Sequence, residues 1–541
     1  MLELKRRPHI DEVVFADDFF RTRENGLPLA SQVNRKFLRA FFGTAASRLG
    51  WRVREVCSRS QGGSIPVRKV MEALDLPQSP DGWAAACTTD LNQAAEHLSS
   101  LALTPATLVI GWGLPPSIMH YVDCHGAAFI DVEIHSIRFT RDLHLAMRTN
   151  DPGIQRELER LRIDEEIIWS AAAGLRAHFA RRGQSFIVRP DRSVGVFVGQ
   201  MTVDLAVVHG GRLTRPVDFV KQISDWAKEV DLLAIRPHPA QTDTSHLHAL
   251  LEQVPNAVLV SGNTYSLLCA DNLAFVGAVS SGVLNEASYL GCNDIRRLLT
   301  DDRNRVGLLP TTCSPWIPVR LEVASVRSLR AFARARQRAW HWPLPRLSAN
   351  PPPAFPEDML NQIFGYRWGL DPAANGLQEL PTLVPGQSLS MALGAPGAAC
   401  TVFGYGWYWP ENWGVWSAEA HAWLVIPLGF PDNVPPGGDF EFSLHGQVFA
   451  PGTVTPPTIR ILVNGHECRL SLGQDGSMEW VVRLDAEAVK HRLLIIAFDV
   501  QGALRPCDVG GNPNDNRTVG IGLRSVALRE SGGLAPELPT Q

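Results

Sequence analysis

The chain has 541 residues, 45% of them hydrophobic and 20% charged, with a formal net charge of -4. That length exceeds one hydrophobic core and points to about three folded units, and the near balance of charge excludes both the broad basic field of a nucleic-acid binder and a long acidic tail. Nine cysteines, odd in number and without Cys-x-x-Cys spacing, fit reduced packing thiols better than a disulfide framework or a zinc site. No apolar run reaches the roughly 20 residues of a membrane span, and Lys5-Arg6-Arg7 is followed by acidic residues rather than an apolar segment. The expectation is a cytoplasmic protein whose membrane contact, if it has one, is peripheral.

From Asp11 to Asn150 helical and strand patterns alternate. Ser31 to Leu49 reads as a helix stopped by Gly50, and Trp51 to Cys57, Leu108 to Trp112 and Ala127 to Glu133 read as strands. Ile154 to Arg182 reads as one long helical stretch. Three further apolar runs follow, Gly195 to Gln200, Leu232 to Pro239 and Leu273 to Gly282, each delivering polar residues at its end. Helices over Asn285–Leu290 and Val323–Trp340 complete a second alternating half. Apolar strands that alternate with helices predict parallel sheets, whose ligands lie beyond the carboxyl ends of the strands.

A proline-rich stretch from Pro343 to Pro356 reads as a semi-rigid linker that few contacts should cross. Beyond it come short alternating strands, with turn signals at Asn464-Gly465 and Asp475-Gly476, which predict an antiparallel β-sandwich. The expected class is therefore α/β: two Rossmann-like halves at 1–150 and 151–342, a linker at 343–379 and a β-sandwich at 380–530.

The polar clusters carry the candidate chemistry. His238 stands between two prolines, which deny the chain a helix there and leave the imidazole positioned to meet a phosphate oxygen. Ser280, Ser281 and Gly282 open the next helix and can offer hydroxyls and free N–H groups to an anion. Each also has a plain structural reading, a rigid turn for Arg236-Pro-His-Pro239 and an N-cap for the serines. Asp131 and Glu133 end a strand and are followed by His135 and Arg138, which can meet a sugar carboxylate or form an ordinary salt bridge. Asp204 stands four residues past Gln200 and can be a turn cap or a working carboxylate. The run Phe403 to Ser417 holds Trp407, Trp409, Trp413 and Trp416, whose rings can stack on sugars or simply form the sandwich core.

Gly199-Gln200 with Asp204 downstream, Arg236-Pro-His-Pro239 and Val279-Ser-Ser-Gly-Val-Leu-Asn-Glu-Ala287 resemble the successive motifs of the bacterial capsule-polysaccharide β-Kdo glycosyltransferases, over roughly residues 110 to 292. The resemblance implies a GT-B fold, two Rossmann-like halves around a cleft, and CMP-activated 3-deoxy-manno-octulosonic acid (Kdo) as donor. It makes His238 the phosphate ligand and gives Gln200, Arg236, Pro239, Ser280, Ser281, Gly282 and Glu286 to the nucleotide and donor. Asp204 matches by position the carboxylate to which retention of configuration is attributed, and Asp131 and Glu133 match the acid/base cluster. Here that cluster reads Asp-Val-Glu-Ile-His rather than the Glu-Asp-Gly form of relatives, which leaves open whether Asp131 or Glu133 acts. A CMP donor leaves a monophosphate, so neither a metal nor another cofactor is expected. The partners implied are a CMP-sugar and a glycan or glycolipid acceptor, with peripheral association with a capsule assembly complex at the inner membrane. Two alternatives stand beside this one: an inverting, sialyltransferase-like CMP-sugar transferase, and a non-catalytic glycan-binding or export-associated protein.

Overall fold

In the computed structural model strand β1 (Glu12–Asp17) is buried along its whole length and sits between two parallel neighbours, β2 (Arg52–Glu55) and β3 (Thr107–Trp112). The structure describes residues 9–21, 32–181, 192–238, 263–299, 308–337, 358–364, 383–392, 410–418, 421–430, 439–452, 455–463, 477–485, 493–511 and 517–531, with shorter pieces within 246–260, 402–408 and 466–472 and at 489 and 515. The chain forms two compact units that interleave in sequence. The first takes residues 1–173, 202–214 and 299–370; the second takes 174–201, 215–298 and 371–541.

The first unit is built on a six-stranded sheet in the order Ile317–Val319, β5 (Leu145–Thr149), β4 (Ala128–Ile134), β3, β1, β2. The four strands from β4 to β2 are parallel, and β5 pairs antiparallel with both β4 and the Ile317–Val319 strand. Side chains alternate across it, as strand geometry requires. Val13 and Phe15 join one core with Phe37, Leu38 and Leu360, whereas Val14 and Ala16 join the other with Trp83, Leu114 and Phe129. Being buried on both faces, β1 is apolar from Val13 to Ala16, between Glu12 at its start and Asp17 at its end.

The expected Ile154–Arg182 helix is two helices, Pro152–Arg160 and Glu165–Arg181. Between them the chain pairs with the Ile317–Val319 strand: Ile163 N–H donates to the Pro318 carbonyl at 3.0 Å, and Arg162 forms a bridge with Val319. That pairing takes backbone groups away from a continuous helical ladder.

In the second unit five parallel strands run Ile295–Arg297, Leu273–Ala278, Val194–Val198, Leu232–Arg236, Ala257–Leu259. This sheet does not end there. Leu259 pairs antiparallel with Phe403, and the strands His421–Pro427, Leu493–Gln501, Thr458–Val463 and His466–Cys468 carry it on to ten strands. A second antiparallel sheet is centred on Ile521–Glu530 and Phe440–Val448. The chain beyond residue 380 is therefore antiparallel, as expected, but the strands of one of its sheets extend the parallel one rather than lying apart from it. Most of the 343–379 linker and the turns at 464–465 and 475–476 lie outside the described residues. Among the described residues no helix is long and apolar enough to cross a membrane.

Candidate active site

The first unit gathers acidic groups at the carboxyl ends of β1 and β4. Alternation along β4 places Asp131 and Glu133 on one face of the sheet, two residues apart. Antiparallel pairing sets Asp131 opposite Arg148 of β5, whose Nε reaches Asp131 Oδ2 at 2.9 Å. The Leu114 N–H donates to the other oxygen at 2.8 Å. Asp131 is wholly buried, and burial pushes its carboxyl upward against the pull of Arg148 and that N–H. Its Arg148 partner lies 4.3 Å above the Trp316 ring.

Glu133 is different. It is half-buried, and among the described residues its carboxyl accepts no hydrogen bond. Burial, with the Asp131 and Asp204 charges nearby, lifts its pKa to about 7. Its Oε1 packs against the backbone of Gly113, where a Cβ would stand 2.8 Å away and φ is +56°. A side chain there would clash and strain the turn, so the sequence Trp112-Gly113 leaves the recess in which the carboxyl sits.

Asp204 comes to the same unit on the 202–214 segment. Val208 of this segment is buried in the core beneath β1, and Gly211 lies against Thr88. The expected turn-capping role is real: Asp204 Oδ1 accepts the Ala206 N–H at 2.9 Å. Its Oδ2 pairs with Arg21 Nη2 at 3.2 Å, and the two side chains are 39% and 30% exposed. All three carboxylates singled out in the sequence are thus in one unit, from stretches more than 70 residues apart.

Two residues not foreseen in the sequence frame them. Asp18 follows β1, accepts the Trp83 Nε1–H at 2.8 Å and the Phe20 N–H at 3.1 Å, and is raised by burial to about 6. Arg21 lies over the Trp83 ring at 5.6 Å and also donates to the Val203 carbonyl at 3.1 Å. The signal was present, since Val13-Val-Phe-Ala-Asp-Asp18 is itself an apolar run delivering a polar pair. Asp17 points to the opposite face, where Arg35 binds it.

In the second unit the three motifs meet at the carboxyl ends of adjacent strands. Gln200 clasps Ser280 reciprocally: its Nε2 donates to Ser280 Oγ at 3.1 Å, and its Oε1 accepts the Ser280 N–H at 2.7 Å. Gly199 packs on the Arg236–His238 backbone, where a Cβ would stand 3.1 Å from the Arg236 carbonyl oxygen. Arg297 adds a contact from Nη1 to the Ser280 carbonyl at 3.2 Å. His238 is half-buried beyond its strand, and Gly282 precedes the short helix Val283–Tyr289. Ser281 is a cap, its Oγ accepting the Val283 N–H at 3.3 Å.

Several assignments change. Glu286 is buried and accepts the Tyr265 hydroxyl at 2.9 Å. Arg236 is buried, donates to its neighbour Pro237, and is lowered by burial to about 10. His135 is pressed to about 4 by burial and by His144, so it brings no positive charge to a sugar carboxylate. Arg138 is half-buried in the loop after β4. Trp407 is 0% exposed and packs on Phe498, so it belongs to the core. Trp413 and Trp416 are half-buried with ring centroids 4.8 Å apart, and the Trp413 Nε1–H is taken by Glu411. Pro239 and Trp409 lie outside the described residues.

No family model matches the chain, and no curated protein does. Among solved structures it is similar to KpsC, a beta Kdo 2,7 transferase of Thermosulfurimonas dismutans, at 14% identity and a TM-score of 0.31, over 60% of this chain and 90% of that one. A cycloisomaltooligosaccharide glucanotransferase of Paenibacillus sp. is similar at 10% identity and a TM-score of 0.14, over 58% of this chain and 38% of that one.

Proposed function

We propose that the chain is a metal-independent glycosyltransferase of the GT-B type that moves Kdo from CMP-Kdo to a glycan or glycolipid acceptor, with retention of configuration, in surface-polysaccharide synthesis. The observation that carries this is the gathering of Asp131, Glu133 and Asp204 in the first unit, with one carboxyl, Glu133, that accepts no hydrogen bond among the described residues and titrates near neutrality. Supporting it, the Gln200–Ser280 clasp and the Gly199 contact hold the three donor motifs together in the second unit. Asp204 attacks the anomeric carbon as oxocarbenium character develops and CMP departs. Glu133 then takes the proton from the acceptor hydroxyl that displaces Asp204. The nearby Asp131 charge, opposed by Arg148, helps to keep Glu133 from ionising early.

One observation favours a second reading. Both oxygens of Asp204 are engaged, by the Ala206 N–H and by Arg21, as suits a positioning group in an inverting transferase where Glu133 alone serves as base.

Release of free nucleotide from CMP-, UDP- and GDP-activated sugars by the purified protein tests the class. CMP should appear; release from UDP- or GDP-sugars alone sinks the proposal. Incubation with donor and no acceptor should then add one sugar mass to the peptide bearing Asp204, and Asp204→Asn should abolish the adduct. An inverted product with no trapped adduct selects the second reading.

A further inference from the structure

We propose that Arg21 is the seat for a carboxylate carried on the reacting carbon of the sugar, and that it bridges this group to Asp204. The inference rests on the reading of Asp204 as the attacking carboxylate. In an ulosonic acid the carbon under attack itself bears a carboxylate. A nucleophilic aspartate must therefore bring one negative charge close to another, and such repulsion is severe where little water remains to screen it. A cation has to stand beside both.

Arg21 meets that requirement. Its Nη2 is occupied by Asp204 Oδ2 at 3.2 Å and by the Val203 carbonyl at 3.1 Å, while Nε and Nη1 meet no acceptor among the described residues. A guanidinium offers five N–H donors in one plane, so the remaining donors can receive a second carboxylate while the first stays held. The group is fixed from behind: it lies over the Trp83 ring, and the Trp83 indole N–H is bound to Asp18. Asp18 also contributes a negative charge that holds the guanidinium in place. The other cation of the cluster is not available for this task, because Arg148 spends both Nε and Nη2 on Asp131 and is stacked on Trp316. His135, the neighbour first suggested by the sequence, is neutral.

The test compares two donors, a CMP-activated ulosonate and its carboxamide analogue, on the full-length protein and on Arg21→Met and Arg21→Lys. Nucleotide release gives kcat/KM for each. Wild type should prefer the acid by at least about tenfold. Arg21→Met should lose activity on both donors, because the guanidinium also holds Asp204, but about tenfold more on the acid than on the amide, so that the preference disappears. Arg21→Lys should keep part of the preference, since it retains the charge and loses the fork. Equal losses on both donors overturn the inference, because they mean that Arg21 serves Asp204 alone. Circular dichroism and CMP affinity by calorimetry verify each variant's fold, and should Arg21→Met not fold, the acid-to-amide ratio of Arg21→Lys decides the matter. A wild-type protein that releases no CMP from either donor overturns the transferase reading and this inference with it, a result distinct from equal losses.

Discussion

At the scale of the residue, Glu133 ties function to stability. Its carboxyl titrates near 4.5 in an unfolded chain and near 7 here. The folded state thus holds the proton more tightly, and the stability this contributes is complete below about pH 4.5 and is lost as pH rises through about 7. Glu133→Gln should therefore be more stable than wild type at pH 8, by about 1–2 kcal/mol allowing for partial exposure, and no more stable at pH 5. Thermal melts at the two pH values check this. The same substitution should lower turnover by about 10²- to 10⁴-fold and remove an acid limb near pH 7 from the rate profile. Asp131 and Glu133 were legible in the sequence because they stand two apart on one strand. Arg21 and Trp83 were not, because their partners Asp204 and Asp18 are 183 and 65 residues away.

At the scale of the element, the turn after β3 decides where Glu133 sits. Gly113 and Gly50 both have positive φ, but a Cβ on Gly113 would meet Glu133 whereas one on Gly50 would meet nothing within 4 Å. Gly113→Ala and Gly50→Ala should both cost about 1–2 kcal/mol in backbone strain. Only Gly113→Ala should also reduce nucleotide release, by displacing the carboxyl; equal activity in the two variants would remove Gly113 from the site. The alternation of strands with helices was readable from periodicity. Strand β1 escaped because a short run buried on both faces has no period to detect. The break at 161–164 escaped because its cause is a pairing with residues 318–319, far along the chain.

At the scale of the molecule, the proline-rich stretch is a poor place to cut. Leu360, beyond it, is fully buried in the first unit's core, and Phe364 packs on Phe37 and Trp112. Removing everything after residue 342 would empty that site, a loss of about 2–5 kcal/mol for the leucine alone. It would also bare the edge of the Ala257–Leu259 strand, whose partner is Phe403. The truncated protein should aggregate on size-exclusion chromatography; a monodisperse, active fragment would show that the C-terminal strands are dispensable. Proline content said nothing about which core the residues beyond it enter.

The interleaving of the two units bears on how the protein is made. The first unit spans residues 1–173, 202–214 and 299–370, so its opening 173 residues leave the ribosome without the strand, helices and acidic segment that complete them. At ~5–20 residues per second, roughly 10–40 s pass before residue 370 is synthesised. Through that interval half-formed apolar faces stay open to the cell, and the nascent chain becomes a client for chaperones. Expression at low temperature with abundant holdase should raise the folded yield by more than any substitution on the surface.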